Sequence, residues 1–228
     1  MPERLRPDFT NRRLARMNYT ASAYMLYLGV DRRYEQLRHH NVYFAQDFRA
    51  NFDAIFKTST LPDDPSLYIC APTRTDETLA PPGCDQIYVL VPVPHLGGSS
   101  IDWKRDEAAF RERVLDRLEC LGLCDLRKHI VVQRSFTPVD WRETYNLARG
   151  AAFGLGHNFM QVGYLRPGNR AKRIPNLYFV GASTVPGTGV PLEPGRTWPA
   201  RLAMKVLHIS VVPMPSRISS PNRSRQRR

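Results

Sequence analysis

The longest apolar run in this chain of 228 residues is Ile87–Pro94, IYVLVPVP, and it contains two prolines. A helix that spans a bilayer needs roughly 20 apolar residues in succession, so no segment predicts one. A short run rich in Val, Ile and Tyr and bounded by turn residues reads as a strand. Further strands are predicted at Ala21–Gly29, Asn41–Ala45, Ser66–Ala71, Gln86–Pro92, Ile130–Phe136 and Asn176–Val180, the last of a buried type. Helices are predicted where apolar residues recur at helical spacing. In Asp106–Leu121 the stripe is Phe110, Val114, Leu115, Leu118 and Leu121, with Gly122 as the stop. In Asp47–Phe56 it is Phe48, Phe52, Ile55 and Phe56, with Asp47 as N-cap. A short helix is expected over Trp141–Leu147. Strands and helices alternate irregularly, which predicts a mixed α/β chain.

Composition agrees with a folded body. At 42% hydrophobic and 24% charged residues the chain is ordinary globular material. Its length fits one large domain or two small ones. The net charge of +12 is unevenly placed. Eight basic residues and no acid fall within 196–228, which leaves 25 bases against 21 acids, or +4, in the first 195 residues. The high isoelectric point thus marks the tail and does not require a nucleic-acid partner. With its five prolines from Pro194 to Pro221 and its serines and arginines, 192–228 reads as disordered. The segment Met1–Met17 is Arg-rich, holds Glu3 and Asp8 and lacks an apolar core, so no secretory signal is expected. Cys70, Cys84, Cys120 and Cys124 have no metal-ligand spacing and are expected to be reduced.

One segment carries chemistry. The strand Asn176–Val180 runs into Gly181-Ala-Ser-Thr-Val-Pro-Gly-Thr-Gly-Val-Pro191. Glycines after a strand let backbone N–H groups approach a planar or anionic ligand closely, although such turns are also common in purely structural roles. Together with this stretch, several others resemble one family in series: Ser22–Tyr34, Leu37–Asn41, Ala71–Leu79, Ala80–Gly83, Val89–Leu96, Phe136–Trp141, Asn146–Asn158 and Gln161–Arg166. The chain resembles the carotenoid desaturases of the bacterial and fungal phytoene desaturase type, from about Leu14 to Pro191.

That resemblance implies a FAD-dependent oxidoreductase of the amine-oxidase-like superfamily, acting on phytoene or a related apolar polyene in carotenoid biosynthesis. The implied architecture is the C-terminal portion of a Rossmann-type FAD-binding flavoprotein with part of its mixed-sheet substrate domain. Residues 1–145 would be a partial substrate domain, 146–191 the C-terminal segment of the FAD domain, and 192–228 the basic tail. The implied cofactor contacts are Val180, Gly181, Ala182, Ser183, Thr184, Pro186, Gly187, Thr188, Gly189, Val190 and Pro191. A substrate drawn from a bilayer implies peripheral membrane contact on the cytoplasmic side. The strands at 21–29 and 87–94 then either line a hydrophobic tunnel or simply pack a core.

The chain also departs from the family. The GxGxxG fingerprint that grips a dinucleotide does not occur; Gly154-Leu-Gly156 and Gly187-Thr-Gly189 lack the third glycine. After Pro191 the expected small-residue helix is replaced by Leu192-Glu-Pro-Gly-Arg-Thr-Trp-Pro199, which is poor helical material. The chain alone is therefore expected to be a C-terminal fragment that holds FAD poorly and is inactive. Other readings stay open: a non-catalytic apolar-ligand or association module, a related carotenoid oxidase or isomerase-saturase, and a basic binder of nucleic acid or membrane surfaces through Ser220–Arg228. No catalytic residue is assigned. His157 is a candidate for approaching substrate, and Arg74, Arg149 and Arg166 for steadying phosphates or serving as surface residues. His39 and His40 read either as ligands or acid/base groups or as polar edge residues; Asp63-Asp64 and Asp106-Glu107 read either as paired catalytic carboxylates or as helix caps, which suffices to explain them.

Overall fold

Alternation along one strand sets the architecture. In β4 (Asp85–Val93), Asp85, Ile87, Val89, Val91 and Val93 are buried, whereas Tyr88, Leu90 and Pro92 are half-buried and Gln86 is exposed. Successive strand residues point to opposite faces, so one face of the sheet is dry and the other partly open. β1 (Ser22–Val30) pairs antiparallel with β4, setting Tyr24 opposite Val91 and Leu26 opposite Val89. In the computed structural model, which describes residues 2–185 and Gly187, five strands take the order β2-β3-β4-β1-β5. The remaining strands are β2 (His40–Tyr43), β3 (Leu67–Cys70) and β5 (Ile130–Phe136). Every pairing is antiparallel, so the sheet is not mixed as expected. The connection from β4 to β5 skips over β1; the two strands run the same way but never pair, because each pairs with β1. β3 pairs with β4 only from Tyr88 to Leu90. At Pro92 one side of β4 therefore has no strand neighbour, which suits a residue without an N–H.

Among the described residues the α-helices are α1 (Asn11–Arg16), α2 (Phe48–Asp53), α3 (Trp103–Cys120), α4 (Leu126–His129) and α5 (Pro138–Tyr145). The dry face is covered by α3, whose Phe110, Val114, Leu115 and Leu118 are buried against Leu26, Leu28, Ile87 and Val89 in a single core. The helix starts three residues before the expected Asp106, because Asp102 caps it by accepting from the Lys104 N–H at 3.0 Å. It ends ahead of Gly122, at φ +99°, where a side chain would be strained. Trp103 stacks on Tyr24 at 5.8 Å, and the Tyr24 hydroxyl donates to Glu107 at 2.9 Å.

α2 (Phe48–Asp53) has its expected cap, with Asp47 accepting from the Ala50 N–H at 2.9 Å. Its apolar face, continued by the π-helical turn Ala54–Thr58, is not core. Phe48, Phe52 and Phe56 are 55%, 46% and 52% exposed, and Ile55 alone of that stripe is buried. Helical spacing shows that one face is apolar and leaves open what covers it. The predicted strand Asn176–Val180 is also absent. Tyr178 makes a single bridge to Arg170, and Phe179 N–H donates to Asn169 O at 2.7 Å, so this backbone folds back on its own neighbourhood. Phe179 and Val180 are exposed. A strand needs a second strand to take its backbone bonds, and the described residues place none beside it.

α5 (Pro138–Tyr145) begins in a capping box: Asp140 N–H donates to Thr137 Oγ1, and Thr137 N–H donates to Asp140 Oδ2 at 2.7 Å. Thr137→Ala is expected to cost about 1 kcal/mol in urea unfolding. No helix among the described residues is long and apolar enough to cross a membrane. All four cysteines are free. The tail expected over 192–228 lies outside the described residues.

Candidate functional site

The open face of the sheet is apolar and aromatic. Met25 and Tyr27 of β1, Tyr68 of β3, and Tyr88 and Leu90 of β4 line a cavity of 390 Å³ with Trp141 and Phe153. Tyr68, Leu90 and Phe153 also border a larger groove of 990 Å³, whose other wall is Val42, Phe44, Phe48, Phe52 and Phe56. Val42 and Phe44 are 59% and 65% exposed. Clustered exposed apolar residues of this kind mark a binding surface. The strands at 21–29 and 87–94 pack a core with one face and border open space with the other: Leu26, Val89 and Val91 lie in the core, while Met25, Tyr27, Tyr88 and Leu90 line the smaller cavity.

Beyond the groove lies the glycine-rich turn. Gly181 has φ +142°, and Thr184 closes the turn by donating its N–H (3.1 Å) and its hydroxyl (2.9 Å) to Gly181 O. Ser183 Oγ accepts from Leu155 N–H at 3.3 Å. A Cβ on Gly154 would stand 2.5 Å from that oxygen, so this approach requires glycine. Five of the predicted cofactor residues, Val180, Gly181, Ala182, Ser183 and Thr184, share a cavity of 450 Å³ with Leu5, Pro7, Phe9 and Leu14. Gly187 sits elsewhere, against His157, where any Cβ would collide with the imidazole. Pro186, Thr188, Gly189, Val190 and Pro191 lie outside the described residues.

His157 belongs to both features. It borders the apolar groove and touches Gly187 of the turn. Of the predicted candidates among the described residues, it alone joins the two.

Arg166 holds the turn in place. It is 2% exposed, and its guanidinium donates to five backbone carbonyls. Nε reaches Thr184 O at 3.1 Å; Nη1 reaches Gly156 O and Gln161 O at 3.0 and 3.1 Å; Nη2 reaches Leu155 O at 2.9 Å and also Ala182 O. Burial holds its pKa below the ordinary guanidinium value. This is no surface residue: the planar fork ties Leu155–Gln161 to Ala182–Thr184. Arg74 is not a surface residue either. It bonds Asp85 at 2.6 Å, with the Asp85 side chain fully buried. Arg149 lies over the Tyr19 ring at 5.0 Å and donates to Ala15 O at 2.5 Å.

The other candidates do not form an acid–base pair. Asp63 and Asp64 face Arg113 and Arg117 at 3.6 and 3.3 Å. Asp106 accepts from Asp102 N–H at 3.0 Å, and Glu107 bonds Tyr24 and Arg111. Sequence reasoning missed Asp85; its only signal is an acid placed at the start of an apolar strand. It also missed that His39, His40 and Cys70 come within 4.8 Å of one another.

Two features of the turn bear on the ring end of a flavin. Among the described residues nothing lies within 4 Å of a Cβ placed on Gly181, so none of them blocks the backbone there. The buried Arg166 has no acidic partner among its bonds, so it puts a fixed positive charge behind the turn. A phosphate-binding counterpart has no sequence signature in the chain.

No protein-family model matches the chain. Curated relatives do. The chain is 52% identical over 183 residues to a zeta-carotene-forming phytoene desaturase of Myxococcus xanthus, and 43% identical over 178 residues to a lycopene-forming phytoene desaturase of Pseudescherichia vulneris. The chain is homologous to the carotenoid desaturases. A 4,4'-diapolycopene oxygenase of a Methylomonas species is 42% identical to it over 182 residues. These matches take in 78–80% of this chain and 35–36% of each relative, so this desaturase homologue spans about a third of its relatives' length.

Proposed function

We propose that the chain is the C-terminal part of a FAD-dependent carotenoid desaturase, the part that holds the apolar polyene and the ring end of the flavin. One observation carries this reading: an apolar groove and the glycine-rich turn meet at His157. Residues 1–145 supply most of the groove lining and belong to a partial substrate domain, 146–191 belong to the Rossmann-type cofactor domain, and 192–228 are basic in sequence. FAD, when bound, supplies the oxidation of a saturated carbon–carbon bond to a double bond. The chain's own residues do the rest. Tyr27, Tyr68, Tyr88 and Leu90 bind an extended apolar chain and exclude water from it. Arg166 fixes the turn and contributes positive charge. His157 positions the polyene against the turn. The exposed Phe44, Phe48, Phe52 and Phe56 support peripheral contact with the cytoplasmic side of a bilayer, from which the polyene is drawn.

The test is quenching of tryptophan fluorescence by a conjugated C40 polyene delivered in micelles, because Trp141 borders the cavity. Saturable quenching is expected, weakened at least tenfold by Leu90→Asp. Quenching that never saturates, or that ignores this substitution, would remove the groove from the proposal. With added FAD the chain alone is expected to convert no phytoene in liposomes, since the dinucleotide fingerprint is absent from it; measurable product would refute weak cofactor binding.

A further inference from the structure

The antiparallel register of β2 and β3 sets His40 directly opposite Cys70. Opposed residues share a face of the sheet. His39 enters the same cluster from the residue before β2, its ring 4.2 Å from that of His40. One ligand atom from each of His39, His40 and Cys70 falls within 4.8 Å of the other two. Ligand atoms on one tetrahedral zinc are ~3.5 Å apart, given Zn–N near 2.0 Å and Zn–S near 2.3 Å, so small side-chain rotations close the site.

We propose that His39, His40 and Cys70 form a site for a zinc-class transition-metal ion at the sheet edge. Three features support it. The donor set of two imidazoles and one thiolate selects zinc or copper over magnesium or calcium. Each imidazole already has an orienting hydroxyl: His39 Nδ1 lies 2.5 Å from Thr75 Oγ1, and His40 Nδ1 lies 2.7 Å from the Tyr68 hydroxyl. A ring can keep that bond and still offer Nε2, the arrangement in which outer partners fix a ligand's tautomer and direction. Finally, Cys70 is buried while His40 is exposed, so the ion has a path in and a fourth position open to water. On binding, the Cys70 thiol gives its proton to the buffer and the thiolate bonds the metal.

The ion would staple the short strand β2 to β3. Val42 lies two residues after His40 and its partner Tyr68 two residues before Cys70, on the same face, and both line the groove. The site thus sits at one border of the apolar groove. Linear spacing hides it, because Cys70 is brought to the histidines only by the strand register.

The experiment uses the 228-residue chain without a histidine tag, titrated with Co2+ and then with Zn2+. One equivalent of Co2+ is expected to bind with a thiolate-to-cobalt charge-transfer band, and Zn2+ to displace it. Cys70→Ser should abolish the band, and His39→Asn and His40→Asn should each weaken Zn2+ binding at least tenfold. If Cys70→Ser does not fold, alkylation of the unmodified chain decides: one equivalent of Zn2+ should slow modification of Cys70, mapped by mass spectrometry, at least tenfold. No saturable binding, a band lost instead in a Cys120→Ser, Cys124→Ser double variant, or unchanged alkylation at Cys70 would each overturn the site.

Discussion

Arg166→Met is expected to release the glycine-rich turn from the body of the protein at a cost of about 3–5 kcal/mol. The substitution roughly keeps the side chain's apolar bulk and removes every donor. Five carbonyls, on Leu155, Gly156, Gln161, Ala182 and Thr184, then lose their guanidinium partner at once. Each buried acceptor left unpaired costs about 1–3 kcal/mol. The costs do not add in full, because water enters once the segment loosens and Gly156 O keeps a bond from the Gln161 side-chain amide at 3.2 Å. The loss should therefore be local. Amide hydrogen exchange is expected to speed up across 154–166 and 181–185 while the β1–β4 ladder stays protected, because the core cluster contains no residue of either segment. Arg166→Lys should fall between, since an ammonium has three donors and no planar fork. Unchanged exchange in Arg166→Met would show that the turn is held by something else.

Asp85→Ala is expected to destabilise the whole sheet by about 3–5 kcal/mol in urea unfolding, the usual cost of stranding one partner of a buried ion pair. Asp85 opens β4 with its side chain fully buried, and three donors converge on it: Arg74 at 2.6 Å, Thr73 Oγ1 at 2.8 Å and Tyr34 N–H at 3.0 Å. Arg74 also donates to Tyr34 O and Leu37 O, so one carboxylate organises the loop before β2 and the turn after β3 around the end of β4. Without it the guanidinium keeps as its acidic partner only the exposed Glu35, at 4.0 Å. The loss should depend only weakly on salt, because the Asp85 side chain is fully buried and that of Arg74 is only 12% exposed. An exposed pair such as Lys57–Asp53, at 2.9 Å, should contribute under about 1 kcal/mol and fade as salt is added. Replacing both partners, as Arg74→Met with Asp85→Leu, should cost less than Asp85→Ala alone. A double variant as unstable as the single one would mean that the loop bonds of Arg74, not the stranded charge, carry the energy.

Much of the body was legible before folding was considered. β1, β4, β5 and α3 are close to where their patterns put them, because each is specified by neighbours a few residues away: alternation for the strands, a three-four spacing for the helix, Asp and Gly at its ends. The cap at Asp47 was legible for the same reason. Two segments misled. The phenylalanines of α2 have core spacing but line an exposed groove. Asn176–Val180 has strand composition but, among the described residues, no strand beside it. Pattern states what a segment can bury; whether a partner arrives is a matter of topology.

The functional features divide along the same line. The glycine-rich turn at Gly181 and the order of motifs that mark a carotenoid desaturase relative are properties of the chain as written. Three assignments needed the fold. His157 becomes a junction because the groove and Gly187 converge on it from distant parts of the chain. Arg166 becomes a buried latch because two loops bring five carbonyls around a single guanidinium. His39, His40 and Cys70 become neighbours through one strand register. Local spacing determined the elements and the turn, since short-range sterics and hydrogen bonding act within a few residues. Only the tertiary structure decided which charges are buried and which side chains meet, since those depend on contacts between residues far apart in sequence.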